Sequence, residues 1–213
     1  MSTFCLVHGK WHDGSCWEPL AKLLRASGHA VLAPDIPQAD PAVGYRARLA
    51  AIARTDVDVV VAHSLGAMYA PLLAADRRIY LCPAPAGPLA GVAPHPIRRG
   101  FPFPPDRRDG TSVWEPEAAI AAMYPRLPRE QGEMLVRRLQ PAGLPAERYP
   151  EIDRTVPSTL IYATHDEFFE PAWSRVAARA AFGTEAVELD AGHFPMIECP
   201  ERLAALLVTL ASA

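Results

Sequence analysis

The sequence predicts an α/β fold: a mostly parallel six-stranded sheet flanked by helices, with a helical segment inserted into it. Three observations carry this expectation. Short apolar runs alternate with helical patterns of about 10–12 residues, the rhythm of β-α-β units. The first of these runs has Phe4-Cys5-Leu6-Val7 at its centre, as in a strand covered on both faces. Residues 88–155 then break the rhythm and hold 12 of the chain's 23 prolines.

Residues 3–8 form the first apolar run and stop at Gly9. Residues 17–27 carry Trp17, Leu20, Leu23 and Leu24 at helical spacing, and Gly28 ends that helix. Residues 29–33, with Val31 and Leu32, read as a second strand closed by Pro34. A helix over about 44–54 sets Tyr45, Leu49 and Ile52 on one face. Residues 57–62, almost all β-branched, are the clearest strand in the chain. Beyond it Leu65, Met68, Leu72 and Leu73 line a helical stripe, which Pro71 should kink or deprive of a hydrogen bond. Strands follow at 79–82, 159–163 and 186–189, and helices at 171–181 and 200–211. The expected division is a core of residues 1–87 and 156–213 with an inserted cap of residues 88–155. That cap has helical patches at 116–124 and 129–139, ten Arg and nine Asp or Glu, so it is more than a linker.

Composition narrows the function. The 213 residues are 50% hydrophobic and 21% charged, enough for a sizeable core. A net charge of −3 does not favour nucleic acid or an anionic membrane as a partner. Nineteen of the 21 basic residues are arginine, Lys10 and Lys22 being the others. The cysteines at 5, 16, 82 and 199 show no C-x-x-C pair and no zinc-type spacing, and neither metal nor cofactor is expected. The start lacks the basic stretch of a signal peptide, and no run approaches the ~20 apolar residues of a membrane span. A cytoplasmic protein with reduced thiols and a small-molecule partner is the expectation. Oligomeric state is left open.

The chemistry gathers at strand ends. In Val59-Val60-Val61-Ala62-His63-Ser64-Leu65-Gly66-Ala67 a β-branched strand runs through small-x-Ser-x-small into a helical stripe. So tight a turn strains the serine, needs small neighbours, and exposes its hydroxyl above the sheet. Taken alone, the serine reads equally well as a helix N-cap. Two further loops decide between these. Asp166 follows the strand at 159–163, and His193 lies in Asp190-Ala191-Gly192-His193-Phe194 after the last strand. Parallel strands point one way, so residues past their carboxyl ends share one rim, where ligands bind. Ser64, Asp166 and His193 then stand in the order nucleophile, acid, base. The first strand ends at the same rim with His8-Gly9-Lys10-Trp11, whose backbone can add an N–H to that of Leu65.

These segments resemble an α/β-hydrolase, and more narrowly the plant-type esterase and hydroxynitrile lyase group with its bacterial relatives. The opening strand, the His8-Gly9 turn, Trp17, the turn at Ser64 and Gly192-His193 carry the resemblance, with a looser match over 114–139. It implies a sheet order of 4-3-5-6-7-8 in the family's naming, this chain's first strand being the third. It also implies Ser64 as nucleophile, His193 as base, Asp166 as orienting acid, and the N–H groups of Lys10 and Leu65 as oxyanion hole. Lyases of the group have Thr where Gly9 stands and Lys where Phe194 stands, so ester or thioester hydrolysis is the leading expectation. Lyase, acyl-transfer or cyclisation chemistry is the alternative, and a ligand-binding protein with a silent triad is the rival from another class.

Other residues admit two readings. Glu167 replaces Asp166 as acid if the strand ends one residue later, and Asp190 sits too close to His193 to orient it. His8 and His63 read as ties for backbone groups, and Cys82 as a small buried hydrophobe. His12, Trp114, Met123 and Tyr124 are candidates for a hydrophobic substrate pocket, with Phe101 and Phe103 beside them. The pairs Arg98-Arg99 and Arg107-Arg108 read as solvated loops. The Lys10 side chain is expected to point outward, the alternative being a role in binding an anionic leaving group.

Overall fold

The computed structural model describes residues 1–54, 56–94, 96–145, 149 and 155–212. A six-stranded sheet runs through it in the order β2-β1-β3-β4-β5-β6, every pairing parallel. The strands are β1 (Thr3–Val7), β2 (Ala30–Leu32), β3 (Val59–His63), β4 (Arg77–Leu81), β5 (Ser158–Ala163) and β6 (Val187–Leu189). This is the order expected from the resemblance, and the parallel sheet is complete rather than partial.

Successive strand residues point to opposite faces, and both faces are covered. Phe4, Leu6, Val59, Val61, Ile79, Leu81 and Ile161 form one core layer. Helices α1 (Glu18–Ala26), α6 (Pro195–Glu198) and α7 (Pro200–Ala211) close it. Cys5, Val7, Val60, Ala62, Tyr80, Leu160 and Tyr162 build the other layer, closed by α2 (Tyr45–Ile52) and α5 (Pro171–Phe182). Each Leu, Ile or Phe buried this way contributes about 1.5–3 kcal/mol before entropy is counted. Alpha helices α1, α5, α6 and α7 all have Pro within their first two positions, where the missing N–H has no intrahelical partner to lose.

Between β4 and β5 the chain adds α3 (Pro116–Met123) and α4 (Arg129–Val136), which pack on each other. They correspond to the two helical patches expected there. Of the 88–155 segment expected as an inserted cap, residues 95, 146–148 and 150–154 lie outside the described residues. No helix among the described residues is long and apolar enough to cross a membrane.

One expected element does not form. The stripe after Ser64 is not an α-helix but two 3-10 turns, Ser64–Met68 and Ala70–Leu72. Pro71 is the physical reason: it has no N–H to donate and crowds the preceding turn. Leu72 N–H instead bonds Tyr69 O at 2.9 Å, a tighter i→i−3 closure. The buried Arg78 guanidinium takes the carbonyls of Pro71 and Leu73 from the end of this segment. The segment that begins at Ser64 is therefore a 3-10 turn rather than the first turn of an α-helix.

Candidate active site

Ser64 directly follows β3 with φ +50°, a left-handed backbone that costs a non-glycine residue of order 1–3 kcal/mol. Close backbone approach on either side holds it there. A Cβ on Gly66 would lie 2.6 Å from the His8 carbonyl oxygen, and one on Gly9 would lie 2.9 Å from Ser64 Cβ. Only glycine lets the β1 and β3 turns meet. The Ser64 carbonyl is tied by Ala84 N–H at 3.0 Å.

The three candidates for chemistry converge. His193 Nε2 lies 3.1 Å from Ser64 Oγ. His193 Nδ1 lies 2.9 Å and 3.0 Å from the two carboxylate oxygens of Asp166. A carboxylate only accepts, so Nδ1 carries the proton and Nε2 is free to accept from the Ser64 hydroxyl. His193 and Asp166 are both buried.

Each group is locked by its neighbours. Asp166 Oδ1 accepts the N–H groups of Phe168 at 2.8 Å and Phe169 at 2.9 Å. The Phe168 ring stacks on the imidazole of His193, with centroids 4.1 Å apart and planes 24° from parallel. His193 N–H donates to Glu167 Oε2 at 2.9 Å, and its carbonyl accepts from His63 Nε2 at 2.8 Å. Glu198 holds Gly192 N–H at 2.9 Å and Arg126 Nε at 3.1 Å. Glu167 thus supports the histidine backbone while Asp166 faces its ring, which separates the two acids that the sequence left as rivals. Burial raises the Glu167 pKa, with Glu198 adding to it. Asp190 is exposed and pairs with His165 at 3.1 Å and Arg202 at 3.5 Å, away from the imidazole of His193.

The β1 loop is fixed through its carbonyls. Ile36 N–H donates to His8 Nε2 at 2.8 Å, leaving His8 Nδ1–H to donate to Gly9 O at 2.9 Å. Gln38 Nε2 reaches the same oxygen at 3.4 Å and His12 O at 2.7 Å. A trans peptide sets C=O and N–H on opposite sides, so these bonds turn the Lys10 N–H away from His8 and Gln38. Leu65 is the first residue past Ser64, in the same 3-10 turn.

His12, Trp114, Met123 and Tyr124 are all buried. Tyr124 Oη donates to His12 Nε2 at 2.7 Å, while His12 Nδ1 faces Lys10 O at 3.3 Å. Phe194 packs against both rings. Burial lowers the His12 pKa to about 4, and lowers those of His8 and, more strongly, His63. These imidazoles sit in the site as neutral groups. Phe101 and Phe168 lie 4.1 Å apart, centroid to centroid, joining the insertion to the ring that covers His193.

Two side chains, Lys10 and Arg98, lie elsewhere than the sequence suggested, while Cys82 is buried as expected. Lys10 does not point outward: its ammonium donates to Ser112 Oγ at 2.7 Å, because the adjoining Trp11, at φ +68°, turns the chain toward the insertion. Arg98 is not a free loop cation but donates through Nε to the Asp166 carbonyl. Cys82, at φ +43°, is buried with its sulfur beside the Asp166–His193 pair; the three ligand atoms lie within 4.8 Å of one another. Burial, then Asp166, pushes the Cys82 thiol well up. Gln38, Glu198 and the Phe168 stack were not singled out from the sequence. Only the placement of Phe168 two residues past Asp166 offered a signal.

A strained serine, an imidazole and a carboxylate meet on one rim of a fully parallel sheet. Residues 6–206 match the alpha/beta hydrolase family, and the chain belongs to it. Among solved structures it is similar to polyneuridine aldehyde esterase, at 17% identity over 99% of both chains with a TM-score of 0.75. It is also similar to a methylesterase from Arabidopsis, at 19% identity over 100% and 99% of the chains with a TM-score of 0.74. A pyrethroid hydrolase from Sphingobium faniae JZ-2 shares 22% identity over 100% and 98%, with a TM-score of 0.74. Among curated proteins a carbendazim hydrolyzing esterase from Nocardioides sp. (strain SG-4G) is 47% identical over 49 residues, 23% of this chain. The match takes in 19% of that relative's length.

Proposed function

We propose that this protein is a serine hydrolase that cleaves a small, hydrophobic ester or thioester through an acyl-enzyme on Ser64. The observation that carries the reading is the relay Ser64 Oγ–His193 Nε2–Asp166, at 3.1 Å and 2.9 Å. Ser64 Oγ attacks the acyl carbonyl while its proton passes to His193 Nε2. Asp166 holds the Nδ1–H tautomer and offsets the imidazolium charge. The backbone N–H groups of Lys10 and Leu65 meet the oxyanion, where one such donor is typically worth about 10²–10³ in rate. His193 returns the proton to the leaving alcohol or thiol. It then takes one from water, which splits the acyl-enzyme and restores the Ser64 hydroxyl.

The 88–155 insertion acts as a cap over this rim, and His12, Trp114, Met123 and Tyr124 line or back the substrate pocket. Apolar walls and buried neutral imidazoles favour an apolar acyl or alcohol group. Relatives and structural neighbours named as esterases or hydrolases support the same reading. The reading includes a cytoplasmic location and a small-molecule partner.

Labelling with a fluorophosphonate probe tests it. Wild type is expected to label stoichiometrically at Ser64 and to hydrolyse p-nitrophenyl butyrate, and Ser64→Ala to do neither. A wild type that binds ester without turnover, or a Ser64→Ala protein that still labels, overturns it. Product analysis with a competing nucleophile separates hydrolysis from acyl transfer.

A further inference from the structure

The two lysines of the chain are treated differently. Lys22 is exposed on α1 and pairs with Glu18 one turn away at 3.6 Å. Lys10 leaves the loop of the proposed oxyanion donor and enters the insertion. Its Nζ passes 4.8 Å from the Trp11 ring centroid and donates to Ser112 Oγ at 2.7 Å. Trp11 Nε1 donates to the Ser112 carbonyl at 3.1 Å, so both residues are anchored at one point. Ser112 is fully buried, and its hydroxyl has the Ala142 carbonyl at 3.4 Å.

Lys10 makes no ion pair among the described residues. An ammonium has three N–H donors, and one hydroxyl oxygen accounts for one of them. The carboxylate of Asp106 favours the charged form without touching it, against a burial that disfavours it. Two residues beyond Ser112, the buried indole Nε1 of Trp114 has no partner among the described residues. The Trp114 ring packs edge to face with Trp11 at 5.5 Å. Among the described residues, the Trp114 indole N–H and part of the Lys10 ammonium are left without a protein acceptor.

We propose that Lys10, held by Ser112 and Trp11, is a carboxylate-binding subsite, and that the ester cleaved here carries a carboxylate on its acyl part. The inference rests on the serine-hydrolase reading and narrows it: the apolar part of the ester is its alcohol, and the acyl part ends in a carboxylate. The side of the ester follows from the proton route. The leaving oxygen must face His193 Nε2, whereas the carbonyl oxygen sits at the Lys10 backbone N–H, where this side chain begins. The side chain therefore extends along the acyl chain. The ammonium then closes a charge-assisted hydrogen bond to the carboxylate.

The test compares kcat/KM for monomethyl glutarate with that for methyl pentanoate. Wild type is expected to prefer the half ester. Lys10→Met lowers the ratio of the two values by about 10–100-fold, chiefly through the KM of the half ester, and Lys10→Arg restores most of it. Inhibition of wild type by the free acids gives the same reading without any variant, glutarate binding more tightly than pentanoate. A wild type that prefers the neutral ester, an unchanged ratio in Lys10→Met, or equal inhibition by the two acids overturns the subsite. If Ser64 labels with fluorophosphonate while these results are negative, the subsite alone falls. No labelling and no turnover of either ester overturns both readings.

Discussion

The carboxyl rim of the sheet holds its groups mainly through backbone, and the insertion reaches them through a few side chains. Asp166 accepts two successive N–H groups, His193 has both backbone groups tied, and Ser64 is fixed by turns that admit no Cβ. The insertion meets the same loops by separate arms. Arg98 takes the carbonyl of Asp166, Arg126 takes Glu198 beneath Gly192, and Ser112 and Tyr124 take Lys10 and His12. Backbone bonds within a packed core survive many side-chain changes. A side-chain arm is lost in one substitution. In the proposed hydrolase the rim then sets whether the chemistry occurs, and the insertion tunes how well and on what.

Substitutions on the two sides should separate these roles. The largest effect belongs to the rim: Asp166→Asn keeps the packing but favours the wrong imidazole tautomer, lowering kcat by about 10⁴-fold in a steady-state ester assay. A loss under about tenfold would mean that Asp166 does not orient His193.

Acid should weaken the rim next. The His12 pKa of about 4 lies below the unfolded value near 6.5. The unfolded chain binds a proton there that the folded chain refuses, so stability falls as pH drops from 6.5 towards 4 and levels off below. His12 alone accounts for roughly 3 kcal/mol over that window, and His8 and His63 act in the same direction. Urea midpoints at pH 7.5 and pH 5 measure it, and His12→Gln should flatten the slope. Equal midpoints would contradict neutral burial of these rings.

The arms of the insertion come third. Arg98→Ala and Arg126→Ala should each lower kcat by about tenfold, the size of one charged hydrogen bond. The melting temperature should move by only a few degrees, and Arg98→Lys should recover part of the rate. A matching fall in rate and stability would make these arms structural only. The smallest effect is expected for Glu167→Gln, which keeps an acceptor for His193 N–H and should cost less than about threefold in kcat. A loss as large as that of Asp166→Asn would transfer the orienting role to Glu167.

Which parts of this could be read from the sequence follows from how each is encoded. The central strands were legible because burial on both faces demands nearly unbroken apolar runs, as in Thr3–Val7 and Val59–His63, and the others because they alternate with helical patterns. Ser64, Asp166 and His193 were legible because each directly follows a strand, and parallel strands bring their ends together whatever the loops do. The helix after Ser64 was misread because the apolar stripe of Leu65, Met68 and Leu72 suits a helix while Pro71 forbids its continuation. The direction of Lys10, the grip of Arg98 on Asp166 and the reach of Gln38 to Gly9 had no local signal. Each joins residues far apart along the chain through loops whose paths no periodicity encodes.

The sequence by itself determined a parallel sheet, its two-sided core and the rim on which a hydroxyl, an imidazole and a carboxylate would meet. Those follow from the periods of strands and helices and the single direction of the strands. Tertiary structure alone decided which ring stacks on the imidazole and where the Lys10 ammonium points. These depend on ångström-scale packing between segments that contact one another only after the chain has folded.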